Sequence, residues 1–303
     1  MKRSLDHLPK TKQRELALVV TTIREGFAAA LAHRTVERFR NGKLLKIILF
    51  GSYARGDWVE DPVGRYFSDF DILVVVNHDD LADVSEFWLP TEDRFLELLG
   101  EGRDLRTPVS LIYHSLDDVN EKLRLGRYFF IDILRDGIAL FEEEGHPFVE
   151  PQPLSAADAL AETREYFEDR FESAGSFVRG YSYALNDGDL NKAAFDLHQA
   201  TERFYQCLFL VRTLYTPKTH NLNRLRSLAE DMEPRLKQVW PSSGKLERQA
   251  YARLREAYIK ARYSREYRIT AEQLDWLGER VHVLRAIVEA ACLERLTVLE
   301  RAA

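Results

Sequence analysis

Residues 44–52 read LLKIILFGS and residues 69–76 read DFDILVVV, and these two stretches decide how the first half of the chain folds. Each contains an apolar run of strand length. The first run ends at a glycine-serine pair, and the second begins with two aspartates one residue apart. Because successive side chains on a strand point to opposite faces, Asp69 and Asp71 are predicted to share one face, while Phe70 points into the other layer.

The two aspartates would destabilise the fold as a purely structural pair, but they suit a metal-binding site. Carboxylates about 6–7 Å apart along one strand face repel each other, whereas divalent cations that bind phosphates favour such oxygen ligands. A glycine-serine turn directly after a strand lets a backbone amide and a hydroxyl approach phosphate oxygens closely. Together the two stretches indicate metal-assisted transfer of a nucleotidyl group.

The composition is that of a globular protein with two domains. The length of 303 residues exceeds that of a typical single domain. Hydrophobic residues make up 45% of the chain and charged residues 30%, which is ordinary for a globular protein. Residues 1–150 carry a net charge of −7 and residues 151–303 a net charge of +1. Neither half has the basic excess of a general duplex binder, so nucleic acid stays open as a ligand but is not favoured by charge.

Hydropathy and cysteine usage predict a cytoplasmic protein that does not bind membranes. No apolar run approaches the roughly 18 residues of a transmembrane helix, and the basic N-terminus lacks the apolar segment of a secretory signal. Cys207 and Cys292 lie in helical patterns among apolar neighbours. They are expected to be reduced thiols in the core.

Periodicity predicts a small mixed sheet with helices in the first half and helices alone in the second. Strands are expected at 44–50, 70–76, 108–114 and 138–141, and helices at 11–40, 91–100 and 115–136, the last with a break near Gly126. Five helices are expected beyond Ser155. The predicted fold is an α+β or α/β domain over 1–143, a linker over 144–154, and an all-α antiparallel bundle over 155–303.

The glycine-serine turn followed by Asp-x-Asp on the next strand resembles the minimal nucleotidyltransferases of the DNA polymerase β superfamily, over about residues 40–141. The resemblance implies that Gly51 and Ser52 bind the phosphates of ATP or another NTP. It also implies that Asp69 and Asp71 are the catalytic ligands of Mg²⁺ or Mn²⁺ and that an NMP passes to an acceptor. Arg55 is a further candidate for phosphate binding, although an arginine in a turn is more often solvated.

The family usually supplies a third carboxylate from a neighbouring strand, but the predicted strand 108–114 carries no acid. His114 and Asp104 are the candidates for the third group, and His114 can equally be a hydrogen-bonded residue at a strand end. Without that acid, a nucleotide-binding sensor with no chemistry is the alternative function. The loop between the motifs holds three aromatic residues that can stack on a base or pack in the core: Trp58, Tyr66 and Phe67.

Three segments of the second half resemble the HEPN domain: FDLHQATERFY at 195–205, THNLNRL at 219–225 and ARYS at 261–264. The resemblance covers roughly 155–295 and implies a helical bundle for substrate binding or homodimerisation, of the kind fused to or paired with minimal nucleotidyltransferases in toxin–antitoxin-like systems. HEPN nucleases carry an arginine and a histidine with four to six residues between them. Arg212 and His220 have seven between them, so ribonuclease activity is expected to be absent or suppressed.

The candidate HEPN groove consists of five residues: His198, Glu202, His220, Arg262 and Tyr263. His198 and Glu202 lie four residues apart on one helix face. They can line a groove for a nucleotide or form a hydrogen-bonded pair inside the bundle. Basic and aromatic residues alternate from Arg262 through Arg265 to Tyr267, as binding of phosphate and base requires, although a solvated helix end explains them equally well.

Overall fold

The chain divides into two units, Met1–Pro153 and Leu154–Ala303. The computed structural model describes residues 1–58, 60–61, 66–217, 219–264 and 266–303. For five residues within these ranges only the backbone is described: Glu60, Asp61, Tyr66, Phe67 and Tyr263.

A mixed sheet of four strands in the order β5-β4-β1-β6 forms the centre of the first unit. Among the described residues the strands of this unit are β1 Leu44–Phe50, β2 Glu60–Asp61, β3 Tyr66–Phe67, β4 Phe70–Val76, β5 Val109–Ser115 and β6 Ile138–Glu142. β1 is antiparallel to β4 and β6, β4 is parallel to β5, and β2 and β3 form a separate antiparallel pair. Every residue of β4 is buried, which explains its continuous apolar run, because a central strand is covered on both faces.

Helices cover both faces of this sheet. They are α1 Lys10–Leu31, α2 Glu37–Arg40, α3 Gly51–Arg55, α4 Leu89–Glu101, α5 Leu116–Arg124 and α6 Tyr128–Asp136. α1 and α4 contribute to the core on the face of Ile47 and Ile72. On the opposite face the ring of Phe129 in α6 lies 5.5 Å from that of Phe50.

The helix predicted over 11–40 is two helices. α1 ends at Leu31, and α2 begins only at Glu37. The β-branched Val36 between them has extended backbone angles, and the Arg34 side chain donates to the Ala30 carbonyl at the end of α1. The chain therefore leaves the helical conformation between the two helices. The break near Gly126 is present as predicted, because α5 ends at Arg124 and α6 begins at Tyr128.

The second unit is helical. Its helices are α7 Ala156–Asn186, α8 Leu190–Thr213, α9 Leu222–Met232, α10 Lys245–Tyr263 and α11 Ala271–Ala302, with a 3₁₀ turn at Pro234–Gln238. α8 packs against α7, α9, α10 and α11 and is buried along most of its length. The predicted fold class, a small mixed sheet followed by a helical bundle, is confirmed. Within the part of the chain that is described, no helix combines the length and apolarity needed to span a bilayer.

Candidate active site

A tight turn joins β1 to α3 at Gly51. Gly51 has a φ of +71°, a left-handed conformation that glycine adopts without steric cost. A Cβ added at this position would overlap with Oδ2 of Asp71 and lie 3.1 Å from its Cγ. Only glycine therefore fits here, and its lack of a side chain brings the start of α3 into contact with the Asp71 carboxylate.

Asp69 and Asp71 lie on one face of the sheet beside this turn. Asp71 is in register with Ser110 on the parallel strand β5, and in-register neighbours point to the same face. The Ser110 hydroxyl donates to Oδ2 of Asp69 at 3.0 Å, which brings Asp69 to that face as well. Asp71 is buried and Asp69 half-buried.

Ser52, the residue after Gly51 in the turn, has a buried hydroxyl. It is 3% exposed, and among the described residues its Oγ finds no hydrogen-bond partner. A buried polar group left unsatisfied costs about 1–3 kcal/mol. A ligand oxygen that reached Ser52 would remove this cost.

Arg55 lies at the end of α3 and is exposed. Its Nε is 3.2 Å from Oδ2 of Asp57, and the two side chains are 39% and 61% exposed. Exposed ion pairs contribute little, so this pair does not hold Arg55 strongly. Asp132 of α6 is also within electrostatic reach: burial raises the pKa of its carboxyl, and the charges of Arg135 and Arg55 only partly oppose that shift.

His114 does not lie with the two acids, so its prediction as the third group is wrong. In the parallel register it is opposite Val75, four residues and therefore about 13 Å along the strand from Ser110. Its Nδ1 is 2.6 Å from a carboxylate oxygen of Asp118. This hydrogen bond lowers the pKa of Asp118, against the opposing effect of burial. His114 is thus the hydrogen-bonded strand-end residue of the alternative interpretation.

Asp104, the other candidate for the third group, is exposed in the loop between α4 and β5, and its role stays a prediction. Among the described residues no cluster of three or more His, Cys, Asp and Glu side chains is arranged to hold a metal ion. The donor set of Asp69 and Asp71 nevertheless fits Mg²⁺ or Mn²⁺. These ions are commonly held by one or two carboxylates together with the phosphates of a substrate.

In the second unit, Glu202 of α8 is the centre of a buried polar cluster. Its carboxylate accepts hydrogen bonds from Nδ1 of His220 at 2.9 Å and from Nε2 of Gln206 at 2.9 Å. Nε2 of His198 lies 3.6 Å from Oε2 of Glu202, while its Nδ1 bonds to the Leu254 carbonyl. Burial alone would raise the pKa of Glu202, but the hydrogen bonds and charges of the two histidines bring it below its ordinary value.

Residues 33–125 match the family model of the nucleotidyltransferase domain, and residues 167–291 match that of the HEPN domain. The chain joins a nucleotidyltransferase domain to a HEPN domain. Both resemblances drawn from the motifs are thereby confirmed. The matched part of the nucleotidyltransferase domain contains the Gly51 turn and both aspartates, and the matched part of the HEPN domain contains Glu202. A comparison with curated proteins finds no match to this chain.

Within the HEPN domain the predicted groove is only partly open. His198 is fully buried, so it cannot line a groove, and it belongs to the polar interior of the bundle. His220 is 53% exposed at its side chain. Arg262 is exposed, and its guanidinium lies 4.7 Å from the ring centre of Tyr258. The side chain of Tyr263 and the whole of Arg265 lie outside the described residues, and Tyr267 is buried, with its hydroxyl donating to the Arg253 backbone carbonyl.

Sequence reasoning missed Tyr258, which connects the members of the HEPN cluster. Its ring stacks on that of His220 at 4.1 Å and lies 5.5 Å from that of His198. Its position four residues before Arg262 places both on one face of α10, a signal that could have identified it. In the nucleotidyltransferase domain Trp58 stacks on Tyr53, which agrees with packing; the side chains of Tyr66 and Phe67 lie outside the described residues.

Proposed function

We propose that this chain is a Mg²⁺- or Mn²⁺-dependent nucleotidyltransferase that moves an NMP from an NTP to an acceptor and releases pyrophosphate. The observation that carries the proposal is the close approach of Gly51 to the Asp71 carboxylate. It brings a turn suited to phosphates next to a pair of acids suited to a divalent cation. The match to the nucleotidyltransferase domain supports the same function.

Each residue has a distinct role in this proposal. The Ser52 hydroxyl and the backbone at Gly51 hold the β- and γ-phosphates of the nucleotide, and Arg55 exchanges its exposed contact with Asp57 for a contact with the triphosphate. Asp69 and Asp71 hold the divalent cation. When bound there, such a cation neutralises charge that develops on the phosphates during an in-line displacement.

The HEPN domain binds the acceptor or mediates homodimerisation in this proposal. The acceptor is a small hydroxylated molecule, a protein or an RNA. The net charge of −6 does not favour extended nucleic acid, because a strong basic excess is what attracts its phosphates.

The test is incubation of the full chain with each labelled NTP and Mg²⁺ or Mn²⁺, followed by measurement of pyrophosphate and of labelled product. Release that is lost in Asp69→Asn and Asp71→Asn but kept in Asp117→Asn supports the enzyme. Asp117 is exposed in the first turn of α5, so this control removes one charge away from the site. Nucleotide binding without turnover would identify the non-catalytic sensor instead, and the absence of both would refute the proposal.

A further inference from the structure

We infer that Ser110 is a positioning residue that fixes the orientation of the Asp69 carboxylate for cation binding. This inference rests on the proposed function, because it gives Ser110 a role toward a cation held by Asp69 and Asp71. The supporting contact is direct: the Ser110 hydroxyl donates to Oδ2 of Asp69 at 3.0 Å from the neighbouring strand.

The hydrogen bond from Ser110 matters because Asp69 lies at the end of a strand. β4 begins at Phe70, so Asp69 lies one residue before the ladder that holds Asp71 on both sides. A carboxylate at a strand end can rotate about its terminal torsion, which has broad preferences. A hydrogen bond to one of its oxygens restricts that rotation and thereby fixes the direction of the other oxygen.

Ser110 is itself held in place by the residues that directly precede β5. The Phe70 amide donates to the Pro108 carbonyl at 2.8 Å, which joins the two strands where they begin. The loop before Pro108 is fastened to α1, because Glu15 accepts from the Thr107 amide at 2.9 Å and Lys12 donates to the Thr107 hydroxyl at 2.7 Å. A rigidly placed donor is what a positioning role requires.

The role is that of an outer partner to a metal ligand. Carboxylates that bind metals are in turn hydrogen-bonded, and loss of such a partner typically weakens metal binding about 10–100-fold. A serine hydroxyl supplies the hydrogen bond without adding charge.

In the test, Mn²⁺ is titrated into the full chain together with a non-hydrolysable ATP analogue. Binding is measured from the electron paramagnetic resonance signal of the Mn²⁺ that stays free. Ser110→Ala is expected to weaken Mn²⁺ binding about 10–100-fold, and Ser110→Thr, which keeps the hydroxyl, to restore it. The matched control is Ser115→Ala on the same strand, because Ser115 donates to Asp79 and caps α5. The control is expected to lower the melting temperature and leave Mn²⁺ binding unchanged.

The outcomes separate this inference from the proposed function. If the wild type binds Mn²⁺ with the analogue and Ser110→Ala binds it equally well, the positioning role is refuted while the proposed function stands. If the wild type does not bind Mn²⁺ with this analogue or with the corresponding analogues of GTP, CTP and UTP, both are refuted. Should Ser110→Ala fail to fold, Ser110→Cys keeps the side-chain size, offers only a weak donor, and is expected to show the same loss.

Discussion

The contact between the Gly51 turn and Asp71 predicts a large effect of Gly51→Ala. The substitution places a Cβ on a residue with a φ of +71°, which costs about 1–2 kcal/mol. The same Cβ overlaps with the carboxylate of Asp71, a side chain that is 2% exposed and has little room to move. Adding an atom to a filled site costs about 1–3 kcal/mol, so the free energy of unfolding should fall by about 2–5 kcal/mol.

In a unit of this size 1 kcal/mol corresponds to roughly 2–4 °C in melting temperature, so the variant should melt about 4–20 °C below the wild type. If Asp71 moves aside, part of this loss is relieved, but the carboxylate then leaves the position proposed for cation binding. The assay is therefore a thermal melt paired with titration of Mn²⁺ and a non-hydrolysable ATP analogue, and we expect both readouts to fall.

Gly102→Ala is the matched control. Gly102 ends α4 with a φ of +62°, and a Cβ there would come no closer than 3.9 Å to a neighbouring atom, the Leu99 carbonyl oxygen. This variant carries the backbone strain of about 1–2 kcal/mol without the collision, and it should bind nucleotide normally. If Gly51→Ala loses no more stability than Gly102→Ala and binds nucleotide as the wild type does, the close approach of the turn to Asp71 is refuted.

Three further predictions follow from single residues. Ser52→Ala removes an unsatisfied buried hydroxyl, so it should leave the melting temperature equal or higher while nucleotide affinity, measured by titration, falls about 5–10-fold. The folded-state pKa of Glu202 is lowered. The ionised Glu202 carboxylate therefore stabilises the fold above the unfolded-state pKa of about 4.3, and this stabilisation is lost as the pH falls through the folded-state pKa. In acid denaturation curves the Glu202→Gln variant should be less stable than the wild type at neutral pH and should lose less stability on acidification. His114→Gln should lower the free energy of unfolding by up to about 1 kcal/mol, because it breaks the contact with Asp118, and it should leave nucleotide binding unchanged. Reduced nucleotide binding would show that His114 belongs to the site after all.

The sequence predicted the strands of the nucleotidyltransferase domain well because each is a short apolar run with sharp ends. β1 spans Leu44–Phe50 and β4 spans Phe70–Val76, bounded by Gly51 and Asn77, which disfavour strand continuation. The shared face of the two acids was predictable from alternation alone. The end of α1 was not, because the apolar residues Val36 and Phe39 follow Leu31 with no glycine or proline to mark the turn.

The contents of the site were harder to predict because they depend on register and on distant contacts. Alternation placed His114 on the same face as Ser110, but only the parallel register shows which of the two is beside Asp71. The hydrogen bond from Ser110 to Asp69 joins residues 41 positions apart. Likewise, Glu202 meets His220 across a loop, and Tyr258 reaches both histidines from another helix. Periodicity carries no information about such pairs.

The two polar clusters differ in how their acids are satisfied. Around Glu202 the carboxylate is hydrogen-bonded by Gln206 and His220, so this acid is satisfied within the bundle without a ligand. At the Gly51 turn the chain keeps a left-handed glycine, a buried Ser52 hydroxyl without a described partner and two acids on one face. The buried hydroxyl and the two acids cost stability, and such local costs persist where function requires them. A ligand that binds the folded state must raise the melting temperature by mass action. If nucleotide and Mn²⁺ together fail to do so, this explanation of the site is wrong.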